Sequence, residues 1–170
     1  VTPDDLFVSH DTWDTYSTFP RRVFKVYEFQ ATVTMSSALA TIASGDDWYQ
    51  TSGQLAVQET TNGVYNNSLY RFVVPESVSE FLRVMVATHV ANDGETWTTL
   101  FARENSGTYN NQYMVVDFKL YSPGASLAPG TLWVAEQIPG LVQRADVTDV
   151  LSKQGYWASY NIPYFKNIYA

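Results

Sequence analysis

Strand-like runs fall in two groups with the helical stretches gathered between them, rather than one helix following each strand. An alternating order would build a parallel α/β sheet; this grouping predicts a mixed α+β layer structure. In the first group, residues 5–9 read as a short strand, and 48–52 and 54–61 as two strands hinged at Gly53. Along the last of these Leu55, Val57 and Glu59 share one face, and Ala56, Gln58 and Thr60 the other, the period of two expected of a strand. The later group is 113–120 and 131–136, β-branched runs separated by Pro123-Gly124 and Pro129-Gly130. Between the groups, 75–91 reads as a helix. Pro75 suits its first turn, and Val78, Phe81, Leu82, Met85, Val86 and Val90 form one apolar stripe. Asp93-Gly94 ends it, and a second short helix carries Trp97, Leu100 and Phe101. Residues 15–29 are expected to be helical despite Pro20, 31–44 to be loop, 146–153 helix, and 156–169 an irregular aromatic tail. No internal linker is visible, so 1–170 reads as a single domain or part of one.

Charge narrows the function classes. The net charge is −7, and the short cationic cluster Arg21, Arg22 and Lys25 reads as a solvated helix face. The basic footprint of a nucleic-acid binder is missing, and an acidic chain is compatible with an acidic compartment. The sequence contains no Cys, which removes intrachain disulfides, thiolate metal sites and a thiol nucleophile from this chain. No apolar run approaches the roughly 18 residues of a membrane span. Aromatic residues make up 15% of the chain, a share that suits a sheet-rich protein or an interface and leaves homo-oligomeric association open. The chain starts at Val1 rather than Met, which reads as a mature, processed or fragmentary chain.

No phosphate-binding glycine loop, G-x-S-x-G elbow or H-E-x-x-H motif occurs, and no metal or cofactor is expected. His89 lies on the helical stretch and reads as a packed core-edge histidine; Asp46-Asp47 reads as a turn or cap. His10 ends a strand and precedes Asp11-Thr12-Trp13, where it could serve a cleft or the capping of the next helix. Two Asn-rich segments, 59–67 and 105–112, and the Asn161 that ends the aromatic run 156–163 offer neutral amides. Amides cannot act as acid or base, but they can hold a carbonyl, a sugar hydroxyl or an oxyanion. Asn and Gly in such runs also simply make turns. Asn66-Asn67-Ser68 is an N-glycosylation sequon at Asn66.

Five runs together resemble the phospholipase B-like (lama-domain) family: residues 5–13 (DLFVSHDTW), 59–62 (ETTN), 105–112 (NSGTYNNQ), 136–140 (EQIPG) and 156–163 (YWASYNIP). The resemblance implies an N-terminal-nucleophile hydrolase fold, a four-layer αββα sandwich of which this chain would be a part. It implies cleavage of an acyl ester or amide by a freed N-terminal Cys lying upstream of Val1, and lysosomal or secreted glycoproteins as members. Its substrate would be a lipid or acylated small molecule, and its partners the remaining segments of the parent protein. By motif, His10 would line the pocket near the thiol, Trp13 would form a wall and help position His10, Thr61 would bond near the nucleophile's amine or the substrate, and Asn161 would donate to the tetrahedral oxyanion. Asn105, Thr108 and Asn110 would stand behind these, as supports or as packing. Alone, without the nucleophile, the chain is expected to be inactive. Other readings are an amidase acting on linear amides, a non-catalytic protein that has kept the scaffold, and a Tyr/Trp-lined carbohydrate-binding module.

Overall fold

A computed structural model of the chain describes residues 1–18 and 21–169. Its framework is one seven-stranded antiparallel sheet in sequential order, built from β1 (Arg22–Glu28), β2 (Thr32–Ala38), β3 (Trp48–Thr51), β4 (Leu55–Thr61), β5 (Asn111–Asp117), β6 (Leu132–Ile138) and β7 (Leu141–Asp146). The long β4–β5 connection carries α1 (Glu80–Val90) and α2 (Gly94–Phe101); α3 (Thr148–Gln154) and α4 (Lys166–Tyr169) follow the sheet. The mixed α+β class expected from the order of runs is the one observed, and one sheet with a helical layer is consistent with part of a sandwich. Among the described residues no helix is long and apolar enough to cross a membrane.

Two cores form because the strands are apolar on both faces. On the first face Val33, Met35, Tyr49, Val57, Tyr113 and Val115 pack against Val84 and Ala87 of α1 and Trp97 and Phe101 of α2. On the second, Ala56, Met114, Val116, Leu132 and Val134 pack against Leu6, Leu151, Phe165 and Ile168. The continuous register fixes these sets, with Ala56 opposite Val116 and Val57 opposite Val115, since slipping one residue would exchange the faces.

Several sequence expectations are corrected. Residues 5–9 form no ladder, although Leu6 is buried in the second core. The helix expected over 15–29 is absent: Phe19 and Pro20 lie outside the described residues, and Arg22–Glu28 is a strand. Val23, Phe24, Val26 and Tyr27 are β-branched and aromatic, and pairing with β2 from Arg22↔Ala38 to Glu28↔Thr32 decides the matter. The loop expected over 31–44 contains β2, in which Val33, Met35 and Ser37 point inward and are fully buried. β7 was not foreseen, and α3 starts after it. Asp146, the last residue of β7, accepts from the Thr148 N–H at 2.9 Å at the start of α3.

α1 differs in a more instructive way. It begins at Glu80, not near Pro75, and is rotated from the expected orientation. Glu80, Arg83, Val84, Met85, Ala87 and Thr88 are buried, while Val78, Phe81, Leu82, Val86 and Val90 of the expected stripe are exposed. The inward polar groups find partners: Arg83 donates to the Val78, Phe101 and Gln137 oxygens, the Tyr113 hydroxyl bonds Glu80, and Trp97 Nε1 donates to Thr88. A buried polar side chain is tolerated once hydrogen-bonded, so counting apolar residues could not tell which face turns inward. His89 sits at the helix edge, bonded through Nδ1 to the Ala31 carbonyl at 3.1 Å.

Candidate functional site

The residue that organises the second face is Glu136, fully buried on β6. Its carboxylate accepts from the Tyr164 and Phe165 backbone N–H groups at 2.6 and 2.9 Å and from Gln112 Nε2. This ties the aromatic tail onto the sheet. At the end of β4 the Thr60 and Ser159 hydroxyls bond one another, and Asn161 Nδ2 donates to the Thr61 carbonyl at 2.9 Å. The run 156–163 is therefore fastened at Ser159 and Asn161 and just beyond its end, at Tyr164 and Phe165. Gln137, the next residue on β6, points to the other face. Its Nε2 donates to the Thr108 carbonyl and Asn110 Oδ1, and its Oε1 accepts from Arg83.

A cavity of about 730 Å³ opens between β4, the segment 9–13 and the tail. His10, Trp13, Thr61 and Asn161 all line it, with Asp47, Gln58, Glu59, Thr60, Ser159 and Trp157 among the further lining residues. His10 is half-buried. Its Nε2 lies 2.7 Å from the Glu59 carbonyl oxygen, an acceptor only, so Nε2 carries the proton. Nδ1 is 3.4 Å from Thr12 Oγ1, whose own proton goes to the Asp46 carbonyl at 2.8 Å. The Nδ1 lone pair thus faces no donor. It can take up a proton, after which Thr12 Oγ1 is its acceptor. Asn161 spends one amide hydrogen on Thr61, which fixes the amide's orientation and leaves the second hydrogen unused. Its backbone is left-handed at φ 63°, a conformation Asn tolerates better than most residues. Trp13 stands at the rim, 94% exposed; His10 is held by Glu59 and Thr12 instead.

Asn105, Thr108 and Asn110 do not line the cavity. They build the loop before β5. Asn105 Nδ2 donates to the Ile138 carbonyl at 2.9 Å, Asn110 Nδ2 to the Gly107 carbonyl at 2.9 Å, and the Thr108 hydroxyl to Ser106 Oγ at 3.0 Å. Gly107, at φ 66°, lets this loop press on Pro139, whose Cα would be 2.7 Å from a Cβ there. The 105–112 and 136–140 runs thus form one packed unit where β5 begins and β6 ends. The sequon residue Asn66 is exposed and caps a short 3₁₀ turn, accepting from the Ser68 N–H at 3.1 Å.

Sequence reasoning missed a carboxyl cluster on the helix side of β4. Glu59 is 2% exposed and neither of its carboxyl oxygens has a partner in hydrogen-bond geometry. Burial, with the neighbouring Asp47 carboxyl adding to it, pushes its pKa up to about 10. Asp47 is also raised by burial, against the Tyr109 hydroxyl that donates to it at 3.0 Å. Glu80 is raised to about 7, mainly by burial. One signal was available: Glu59 shares a face with Leu55 and Val57, and an acid on an apolar face announces a buried carboxyl. Arg22 bridges Asp14 and Asp46 at 3.2 and 3.0 Å, so the Arg21–Lys25 cluster serves the start of β1 rather than a helix face. Among the described residues no group of three or more His, Asp or Glu could hold a metal ion.

The Phospholipase B family model matches residues 1–170. Phospholipase B-like protein G of Dictyostelium discoideum is 45% identical over 99% of this chain, and protein B of the same organism 47% identical over 97%. Phospholipase B-like 1 of Bos taurus is 41% identical over 98% of the chain. The matches cover 31%, 30% and 32% of those proteins, so the chain spans about a third of the length of the curated relatives it matches.

Proposed function

The chain belongs to the phospholipase B family, and from that membership we propose that its 730 Å³ cavity is the acyl-hydrolysis pocket of a longer protein. The substrate is a lipid or acylated small molecule carrying an ester or amide. The nucleophile is an N-terminal Cys supplied from outside this chain, so the chain contributes the pocket and not the attacking atom. The observation that supports this reading best is convergence. His10, Thr61 and Asn161, far apart in sequence, meet Trp13 around one cavity, and two of them are oriented by hydrogen bonds to neighbouring β4 carbonyls.

The roles follow from the atoms left free. The unpaired Nδ1 of His10 accepts the thiol proton, and the resulting imidazolium favours the thiolate. The thiolate attacks the acyl carbonyl, and the second Asn161 amide hydrogen meets the oxyanion that forms; its collapse leaves a thioester and expels the alcohol or amine, which takes the His10 proton, and water then hydrolyses the thioester to release the acid and restore the thiol. Having its orientation fixed beforehand, this donor need not reorganise during reaction. The Thr61 hydroxyl faces the nucleophile's amine or the substrate, and Trp13 closes the rim. A lysosomal or secreted location fits the raised carboxyl pKa values of Glu59 and Glu80, which keep those buried groups neutral most fully in acid. An exposed sequon at Asn66 fits a glycan.

The test is acyl release by the complete protein from matched ester and amide substrates. Release that disappears when the upstream Cys is replaced by Ala is expected. Absence of release with that Cys intact, or release that survives its replacement, overturns the reading. The ester-to-amide ratio assigns the bond class.

A further inference from the structure

Three acidic residues line the 730 Å³ cavity: Asp11, Asp47 and Glu59. Asp11 is exposed, so water screens its charge. Glu59 is 2% exposed and keeps its proton, its pKa pushed up to about 10 by burial and by Asp47. Asp47 is half-buried, in the turn before β3. Its backbone is left-handed at φ 61°, which Asp tolerates. Its Oδ1 accepts from the Tyr109 hydroxyl at 3.0 Å, and Tyr109 is left-handed too, at φ 52°, where a bulky side chain is uncommon. Two left-handed residues from separate loops thus meet through one hydroxyl–carboxylate bond. What this carboxylate lacks is a fixed cation. The adjacent Asp46 is bridged by Arg22 at 3.0 Å, but among the described residues no Lys or Arg pairs with Asp47.

A carboxylate withdrawn from water is costly unless it is paired. Burial raises the Asp47 pKa, and the groups that act against burial are Glu59, Tyr109 and His10. Of these three only His10 can become a cation. The other titratable groups in its field are Asp46, Glu80 and Tyr49, and none of them is cationic. The same turn also holds the ring's supports. Thr12 Oγ1 donates to the Asp46 carbonyl at 2.8 Å. Glu59, whose carbonyl accepts from His10 Nε2 at 2.7 Å, donates its own N–H to the Asp47 carbonyl at 3.2 Å. We propose that Asp47 is a positioning residue of the pocket, its carboxylate serving as the counter-charge of the imidazolium that forms when His10 Nδ1 takes up a proton. It acts through space, since Glu59 and Thr12 hold the two ring nitrogens. A nearby carboxylate makes an imidazole a stronger base. The pairing stands on this geometry; its effect on rate rests on the acyl-hydrolysis reading, in which the imidazolium accompanies the thiolate.

The test deletes the charge and keeps the shape. Asp47→Asn retains an oxygen for Tyr109 and a side chain that accepts φ 61°. Asp47→Gly, unstrained at that φ, guards against a folding failure of the first. In the complete protein, deuterium exchange at the imidazole ring carbon, followed by mass spectrometry across pH, gives the titration midpoint of each histidine separately. The His10 midpoint is expected to fall by about one pH unit in both variants, while His89, held at the Ala31 carbonyl, does not move. With the base weakened, kcat/KM for acyl release should fall by about three- to tenfold. The acid limb of its pH profile should move down by about one unit, because His10 sheds its proton more readily. A purely structural role would lower Tm and kcat/KM and leave the midpoint in place. A His10 midpoint unchanged in both variants therefore overturns the proposal, and leaves hydrolysis standing wherever acid is still released. A midpoint that falls in a protein releasing no acid has the opposite meaning: the Asp47–His10 pairing stands and the hydrolase reading fails.

Discussion

At the residue scale, Glu59 does two unrelated jobs from one position. Its carbonyl holds His10 at 2.7 Å, and its carboxyl is buried on the opposite side of the strand. The carboxyl has a folded pKa raised to about 10, above its unfolded value, so the folded state keeps a proton that the unfolded state gives up. Stability from this group is fully present below the unfolded pKa, about 4.3, and is lost as pH rises towards 10. Glu80, raised to about 7, acts in the same direction over a narrower window. Each proton so held contributes a slope of about 1.4 kcal/mol per pH unit. Thermal denaturation should thus give a higher Tm at pH 5 than at pH 8, and Glu59→Gln, which keeps a neutral side chain, should flatten the dependence. A Tm that rises from pH 5 to pH 8 contradicts the assignment. The sequence pattern had set Glu59 beside Leu55 and Val57; it could not show Asp47 arriving from the turn before β3 to share the same buried space.

At the element scale, the motif runs explain one another. Glu136 fastens the tail and Gln137 fastens the loop before β5, so two adjacent residues hold two distant segments on opposite faces of the sheet. Those runs were legible in the sequence as unusual strings, but their partners were not, because long-range hydrogen bonds leave no local period. Gly107→Ala tests the packed unit. It forces a side chain to φ 66° and within 2.7 Å of Pro139 Cα, so a loss of about 1–3 kcal/mol in chemical denaturation is expected. A stability change under about 0.5 kcal/mol would show that the loop does not press on Pro139. Glu136→Ala, by removing the acceptor of two backbone N–H groups, should free the tail and raise hydrogen exchange at Tyr164 and Phe165 with little change in β4. β1 and β2 were misread as helix and loop for the same physical reason that makes sheets hard to see. Their order comes from pairing with each other, while Ser36, Ser37 and Ala38 carry little strand preference of their own.

At the scale of the whole molecule, the chain turns apolar side chains to solvent on both sides. Phe81, Leu82 and Val86 of α1 are 41%, 42% and 56% exposed, and Phe24 of β1 is 72% exposed. Patches of this kind bind partners or drive association. The isolated chain is expected to bind an apolar dye and to show a concentration-dependent sedimentation coefficient, both reduced in Phe81→Lys/Val86→Lys. Dye binding and sedimentation that the substitutions leave unchanged would place the sticky surface elsewhere. The α+β class and the set of segments around the cavity were readable from the chain alone. The orientation of α1 was not, since both of its faces carry apolar residues and its buried polar groups are satisfied only by the tertiary structure.

The pocket at which these segments meet is the centre of the proposed function, and Asn161 tests it most directly. Asn161→Gly deletes the amide while tolerating the φ of 63°. In the complete protein, kcat for acyl release should fall by about 100- to 1000-fold, with KM nearly unchanged and Tm within a few degrees of the parent. A kcat equal to that of the unsubstituted protein, at unchanged Tm, would contradict it.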